Sequence, residues 1–172
     1  KFGNKKIISC IPSNLIHPFS LKLKNSSISI GAQNCHFKER YGPYTGALSA
    51  FMLKKVGAKY VILGHSENRK GGDNNQLIKQ KIKNSLNQDL TVILCIGETI
   101  EEKRNNKTFS ILRKQINSSL DKKINFKRII IAYEPVWSIG TNKIPKISNL
   151  RKIMKFIKNH LRKKFDTLNV TK

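Results

Sequence analysis

The sequence predicts an α/β protein whose strands run parallel to one another. Five short apolar runs have the length of buried strands: Ile7–Ile11, Ile28–Ala32, Tyr60–Leu63, Val92–Ile96 and Ile129–Tyr133. A segment of helical character follows each run: Ser13–Lys24, Ser49–Val56, Asn75–Leu86, Lys107–Leu120 and Ser148–Phe165. Because strand and helix alternate five times, we expect parallel strands joined by right-handed crossovers.

The elements follow in order from their residues. The first run is closed by Pro12, the second by the polar pair Gln33 and Asn34, and the third by Gly64. In the third helical segment an apolar face repeats at helical spacing: Ile78, Ile82 and Leu86. The fourth segment has another such face: Phe109, Leu112, Ile116 and Leu120. The last helix has the longest apolar stripe, with basic residues at the remaining positions: Leu150, Ile153, Met154, Ile157 and Leu161.

Length and composition favour one domain and exclude several classes of protein. A chain of 172 residues suffices for a single core, and we expect residues 1–172 to form one domain. No apolar stretch approaches the roughly 18 residues of a membrane span, so a soluble, cytoplasmic protein without membrane partners is expected. Three widely spaced cysteines and four scattered histidines indicate neither a disulfide framework nor a metal site.

The net charge of +24 raises the alternative of a basic nucleic-acid-binding module. Such a module needs a contiguous basic face with stacking aromatic residues, whereas the lysines here are spread along the chain and most aromatic residues fall within core patterns. We interpret the lysine excess as a compositional bias and expect no specific nucleic acid.

Polar residues follow successive strands and favour a barrel over an open sheet. His65 follows the third strand, Glu98 the fourth and Glu134 the fifth. In an eight-stranded α/β barrel the loops at the carboxyl ends of the strands build the active site. The glycine-rich phosphate motifs of open α/β sheets are absent from the sequence.

Glu134 has the setting of a catalytic base beneath a mobile loop. It ends the apolar run Ile129–Tyr133, and the residues after it combine the rigid Pro135 and Trp137 with a short tip at Gly140. A salt bridge at the strand end is the alternative for a lone glutamate. The adjoining proline, tryptophan and glycine favour the catalytic interpretation.

His65 provides a second candidate group. A helical turn after it can direct backbone N–H groups at the ring, which favours a neutral imidazole that donates a hydrogen bond. An isolated histidine in a loop is more often structural, but Glu134 supplies a complementary base. A carboxylate and a neutral imidazole that face one small carbonyl compound are suited to enolisation, and a closing loop excludes water from the intermediate.

Four segments together resemble the triosephosphate isomerase family in order and spacing: Ala32–Cys35, Gly64–Glu67, Cys95–Glu98 and Tyr133–Thr141. The resemblance implies a partial (β/α)8 TIM barrel and an isomerase that interconverts dihydroxyacetone phosphate and glyceraldehyde 3-phosphate in glycolysis and gluconeogenesis. No cofactor or metal is implied.

The same resemblance implies roles for individual residues. Glu134 is the base, His65 the electrophile and Gly140 a loop amide that binds the substrate phosphate, while Ser66 and Glu67 support the site. Cys95 and Glu98 are structural by this resemblance, and a loop from residue 35 to 46, with Tyr44 and Thr45, forms the arm to a second subunit of a homodimer.

Departures from the family pattern qualify these expectations. Asn142 stands where the family usually has a loop glycine, Asn68 replaces an arginine and Ala47 an acidic residue. By resemblance the chain runs from the second strand through the sixth helix. The first strand, with an Asn and a Lys that contact substrate, and the phosphate-binding seventh and eighth strands are expected to lie outside it.

Two expectations about activity follow from the resemblance. The chain alone is expected to be inactive, because substrate-contacting groups of the family are expected to lie outside it. A barrel relative without catalytic activity is a further alternative.

Overall fold

The computed structural model describes residues 6–165 and contains one sheet of five parallel strands. These are β1 (Ile7–Ile11), β2 (Ile28–Ala32), β3 (Tyr60–Leu63), β4 (Thr91–Ile96) and β5 (Ile129–Tyr133). They are hydrogen-bonded in sequence order, each to the next, as expected for one arc of an α/β barrel. The predicted strands are confirmed, with β4 beginning one residue earlier than expected.

The part of the chain that the structure describes has seven α-helices, two more than predicted. They are α1 (Ser13–Lys22), α2 (Ala50–Lys55), α3 (Ser66–Lys70), α4 (Asn75–Asn87), α5 (Ile100–Arg104), α6 (Thr108–Ser119) and α7 (Ile147–Phe165). The predicted alternation of strand and helix is confirmed, and the two additional helices lie in the same connections, directly before α4 and α6. The unpredicted α3 and α5 have only five residues each, too few to display an apolar period, and both begin at a side-chain cap.

The core lies between one face of the sheet and the helices. Alternate strand residues are buried on that face: Ile30, Ala32, Val61, Leu63, Val92, Leu94 and Ile96. They join helix residues at the predicted periodicity, including Ile78, Ile82, Leu112 and Ile116. Parallel neighbours in register share a face, so each strand contributes every second residue to this core.

Strands β1, β2 and β3 approach closely on the other face of the sheet. A Cβ atom on Gly31 would lie 2.6 Å from the Cys10 sulfur and 2.9 Å from the Tyr60 Cβ. Gly31 is paired with both residues in the strand register. The glycine therefore lets three neighbouring strands pack tightly in this layer.

Helix α7 confirms most of its predicted apolar stripe. Ile153, Ile157 and Leu161 are buried, and Leu150 is half-buried. Met154, however, is 52% exposed, because it lies at the margin of the stripe that packs on the core. Ile130 of the outer strand β5 is also exposed, so both α7 and β5 have apolar side chains that the described residues leave uncovered.

Candidate active site

The two principal candidates meet at the carboxyl ends of β3 and β5. His65 follows β3 after Gly64, whose φ of +73° turns the chain out of the strand, and Glu134 directly follows β5. The distance from His65 Nε2 to Glu134 Oε1 is 3.0 Å. Two residues that are far apart in sequence are thus in direct contact across the end of β4.

Ser66 holds the carboxylate of Glu134 with both its backbone and its side chain. Its amide N–H donates to Oε2 at 3.1 Å, and its hydroxyl donates to Oε1 at 3.0 Å. The Glu134 side chain is 16% exposed and that of His65 is 34% exposed. The carboxylate is therefore fixed by several donors while the site stays open to a small molecule.

The contacts of the His65 ring define which nitrogen carries the proton. His65 caps α3, and its Nδ1 accepts the N–H of Glu67 at 3.4 Å. Since Nδ1 uses its lone pair toward this amide, we assign the proton of the neutral ring to Nε2, which faces Glu134. The Glu67 carboxylate lies 3.7 Å from Nδ1 but is largely exposed.

Glu98 anchors the loop that follows the candidate base. Its carboxylate is almost completely buried and accepts the Tyr133 hydroxyl at 3.0 Å and the Trp137 indole N–H at 3.0 Å. Burial and the negative charge of Glu98 raise the pKa of Tyr133 above its usual range. The Lys103 ammonium nitrogen lies 3.0 Å from the centroid of the Trp137 ring, which is a cation–π contact.

Gly97 was not identified from the sequence, although it lies inside a quoted motif. A Cβ atom there would be 1.7 Å from the Glu134 carbonyl oxygen. Gln115 of α6 brackets the same residue, accepting the Gly97 N–H and donating to its carbonyl, both at 2.9 Å. The backbone of Glu134 can approach β4 only because residue 97 has no side chain.

Arg69 is a second residue that sequence reasoning missed. Its guanidinium donates to the carbonyl of Gly64 at 2.7 Å and to that of Cys95 at 3.3 Å. Burial lowers the pKa of Arg69 and also raises the pKa of the Cys95 thiol to about 11. Arg69 thereby links the ends of β3 and β4 beside the candidate pair.

The structure does not bring Gly140 into contact with the candidate pair. Gly140 is exposed in the loop after β5, and no hydrogen bond within residues 6–165 joins its backbone to His65 or Glu134. The loop is closed on itself by Thr141, whose hydroxyl donates to the Trp137 carbonyl at 3.0 Å. Asn142 has a φ of 56°, so this asparagine does occupy the left-handed conformation that favours glycine.

The region of the predicted subunit arm contains an aromatic cluster and a polar cluster. Tyr44 is half-buried, with its ring centroid 4.7 Å from that of His36, whereas Thr45 is exposed. Asn68, which replaces the family arginine, accepts a hydrogen bond from Asn34 at 2.9 Å. Asn34 in turn accepts from the buried Lys81 at 3.2 Å. The Asn68 side chain thus has a hydrogen-bond partner within its own chain.

Residues 6–165 contain neither a cluster of metal-ligating side chains nor a helix suited to cross a membrane. No group of three or more histidine, cysteine, aspartate or glutamate side chains is arranged to hold a metal ion. Among these same residues, none of the helices combines the length and the apolar character required to cross a bilayer.

The chain matches known proteins over nearly its whole length. The family model described as "Triosephosphate isomerase" matches residues 2–171. Triosephosphate isomerase of Bartonella tribocorum is 41% identical over 157 residues, which cover 91% of this chain and 61% of that protein. The enzyme of that name from Dictyoglomus thermophilum is 38% identical over 169 residues, covering 96% of this chain and 68% of the relative.

A solved structure gives the same result for the fold. The crystal structure of triosephosphate isomerase from Bartonella henselae superposes with a TM-score of 0.84 at 36% identity, over 92% of this chain and 63% of that one. The chain thus spans about three fifths of the length of the Bartonella relatives. The predicted partial barrel is confirmed, and the chain belongs to the triosephosphate isomerase family.

Proposed function

We propose that the protein carrying this chain interconverts dihydroxyacetone phosphate and D-glyceraldehyde 3-phosphate. The observation that carries the proposal is the 3.0 Å contact between the Glu134 carboxylate and the His65 nitrogen to which we assign the proton. One group can accept a proton from carbon while the other donates a hydrogen bond to oxygen. Because the chain belongs to the triosephosphate isomerase family, we infer that this pair acts on a triose phosphate.

In the proposed reaction Glu134 removes a proton from the carbon next to the substrate carbonyl. The electron pair of the broken C–H bond forms the carbon–carbon double bond, and the carbonyl oxygen gains negative charge that the His65 Nε2–H stabilises. A proton shift from the neighbouring hydroxyl to this oxygen moves the negative charge to the other oxygen of the enediolate. That oxygen then re-forms a carbonyl, and the electron pair of the carbon–carbon double bond takes the proton back from Glu134 at the neighbouring carbon. The step needs no cofactor, because it only relocates protons and electron pairs.

The contacts of Glu134 suggest how substrate engages it. The carboxylate is held by Ser66 and His65, so substrate must replace at least the contact with His65 before proton transfer. Ser66 and Glu67 are proposed to support the site through these contacts. Gly140 is proposed to bind the substrate phosphate through its amide after the loop moves, since it is exposed in the present position.

The remaining expectations about the whole protein belong to the same proposal. We propose one incomplete barrel domain over residues 1–172, a homodimer formed through the loop around Tyr44 and Thr45, and a glycolytic and gluconeogenic role in the cytoplasm. The aromatic cluster of Tyr44 with His36 supports a defined arm conformation. The nucleic-acid-binding alternative is not supported by family membership.

The proposal is tested by coupled isomerase kinetics on the protein encoded by the complete reading frame. Glu134→Gln is expected to lower kcat by roughly 10²- to 10⁴-fold, the usual contribution of a positioned base. Glu101→Gln, which removes an exposed carboxylate from the first turn of α5, serves as the matched control and should retain activity. Full activity in Glu134→Gln contradicts the base assignment, and an inactive wild-type protein favours the non-catalytic alternative.

A further inference from the structure

A large cavity lies at the end of the sheet opposite the candidate active site. Its volume is about 810 Å³, and it is bounded by α4, α6 and the loop before β5. That loop leads into the amino end of β5, whereas Glu134 follows the carboxyl end of the same strand. Five residues of strand separate the two by roughly 16 Å. The cavity is therefore distinct from the candidate isomerase site.

Positive charge dominates the rim of this cavity. Four lysines line it: Lys79, Lys83, Lys122 and Lys123. Asp121 is the acidic residue in the lining, and it pairs with Lys79 at 2.5 Å. Within residues 6–165, no salt bridge neutralises the other three lysines. The rim thus has a net positive charge that favours a multiply charged anion.

Lys164 lies close enough to this cavity to be affected by the positive charges of its lysines. Its ammonium group donates to the side-chain oxygen of Asn117 at 2.7 Å. Burial, together with the positive charges of Lys122 and Lys79, lowers the pKa of Lys164. Lysines from three segments of the chain therefore act on one another at this end of the molecule.

Ser119 gives the cavity a polar group without a partner. This last residue of α6 is fully buried and contributes to the cavity lining. Its hydroxyl is the buried side-chain group for which no hydrogen bond is present within the described residues. By contrast, the buried Ser66 and Ser85 have hydrogen-bonded hydroxyls. A buried hydroxyl without a partner costs free energy. Because the Ser119 oxygen is shielded from solvent, an anion oxygen in the cavity relieves that cost only after the side chain moves toward the cavity.

The lining also includes an apolar part formed by Ile82, Leu86 and Ile124. Phosphate groups alone would leave this surface without a complementary contact. A volume of about 810 Å³ is within the range of sites for small organic ligands. The lining therefore suits a molecule that combines phosphate groups with an organic portion.

We propose that this cavity binds a small organic anion that carries two or more phosphate groups. Lys83, Lys122 and Lys123 contact the phosphates, and the apolar residues contact the organic portion. The Ser119 hydroxyl donates to a phosphate oxygen once its side chain has moved toward the bound anion. The proposal is independent of the isomerase activity, because it concerns a different end of the barrel and its test measures binding.

The test is calorimetric titration of the protein from the complete reading frame with ATP and, separately, with inorganic tripolyphosphate, at constant ionic strength and without divalent metal. ATP is expected to bind more tightly because it has an organic portion for the apolar contact. Tighter binding of tripolyphosphate would overturn the assignment of an organic ligand, and failure of both to bind would overturn the site.

A triple variant and a matched control separate this site from general attraction to a chain of net charge +24. Lys83→Gln with Lys122→Gln and Lys123→Gln is expected to weaken ATP binding by roughly 10²-fold or more, since three charge-assisted contacts are lost. The control removes the same charge from the exposed lysines of α7: Lys152→Gln, Lys155→Gln and Lys158→Gln. An equal loss in both variants would show non-specific attraction and overturn the proposal.

Ser119→Ala provides a test without any change of charge. It is expected to weaken ATP binding about fivefold, because one neutral donor is lost. Its thermal midpoint without ATP should match or exceed that of the wild type, since a hydroxyl without a partner is removed. Unchanged ATP affinity would overturn the role of Ser119. Should Ser119→Ala fail to fold by circular dichroism, the exposed lysine variants still decide the proposal.

Discussion

Gly97 shows how one missing side chain sets the geometry of the candidate site. Its amide and carbonyl are bracketed by Gln115, and the Glu134 carbonyl oxygen occupies the space that a Cβ atom would need. A glycine here therefore reflects close packing between two strand ends. The sequence displays the glycine but does not indicate which backbone approaches it.

We predict that Gly97→Ala destabilises the chain by about 1–3 kcal/mol or more, because a methyl group 1.7 Å from a carbonyl oxygen forces the ends of β4 and β5 apart. Urea unfolding measures the change. Gly71→Ala is the control, since its Cβ would lie at an ordinary 3.4 Å from its nearest neighbour and should cost within about 0.5 kcal/mol. Equal stability of the two variants would contradict the packing argument.

His160 predicts a dependence of stability on pH. Burial and the positive charges of Arg113 and Lys164 lower the pKa of His160 from its ordinary value of 6.5. The unfolded chain consequently binds a proton at a higher pH than the folded chain does. Stability linked to His160 is therefore present above about pH 6.5 and is lost as the pH falls through the lowered folded value.

We expect the unfolding midpoint in urea to decrease between pH 7 and pH 5 more steeply for the wild type than for His160→Gln. Glutamine retains an N–H donor for Asn117, the partner of His160 at 2.8 Å, but does not titrate. Superimposable pH profiles for the two proteins would show that His160 contributes nothing to this dependence.

At the scale of the element, the loop after β5 is anchored at its start and free at its tip. Glu98 binds Trp137 and Tyr133 near the start, while Gly140 and Asn142 at the tip are exposed with positive φ. The residue types predicted a loop with two rigid ends and a mobile middle, and the mobility of the loop stays a prediction. The anchor itself was not foreseen, because Glu98 and Trp137 are 39 residues apart.

We predict that Trp137→Phe costs roughly 1–3 kcal/mol, since the buried carboxylate of Glu98 loses an N–H donor. Hydrogen exchange should also become faster in the loop after β5. Tyr41→Phe is a suitable control, because Tyr41 is 69% exposed. Exchange in the loop that is as slow in Trp137→Phe as in the wild type would rule out Glu98 as its anchor.

At the scale of the whole molecule, the described structure forms an arc of five strands in which β1 and β5 each pair with one neighbour. The chain spans about three fifths of the length of the Bartonella relatives that it matches. The candidate pair His65 and Glu134 is well formed, yet by family resemblance other groups are required to bind the substrate.

We therefore expect the 172-residue chain alone to show no measurable isomerase turnover, whereas the protein from the complete reading frame is active. The same coupled assay at equal protein concentration compares the two. Exposed apolar residues of β5, such as Ile130, should also make the shorter chain prone to self-association in size-exclusion chromatography. Turnover by the 172-residue chain would contradict this expectation.

The strands, the parallel class and the candidate pair could be predicted from the sequence, because they depend on local apolar periods and on residues at strand ends. Helices α3 and α5 could not be predicted, because they are too short to show an apolar period. Three features are visible only in the folded chain: Gly97 admits the backbone of Glu134, Arg69 joins two strand ends, and Ser119 lies beside a lysine-rimmed cavity. Those features are contacts between distant segments, and they exist only once the strands have paired and the helices have packed.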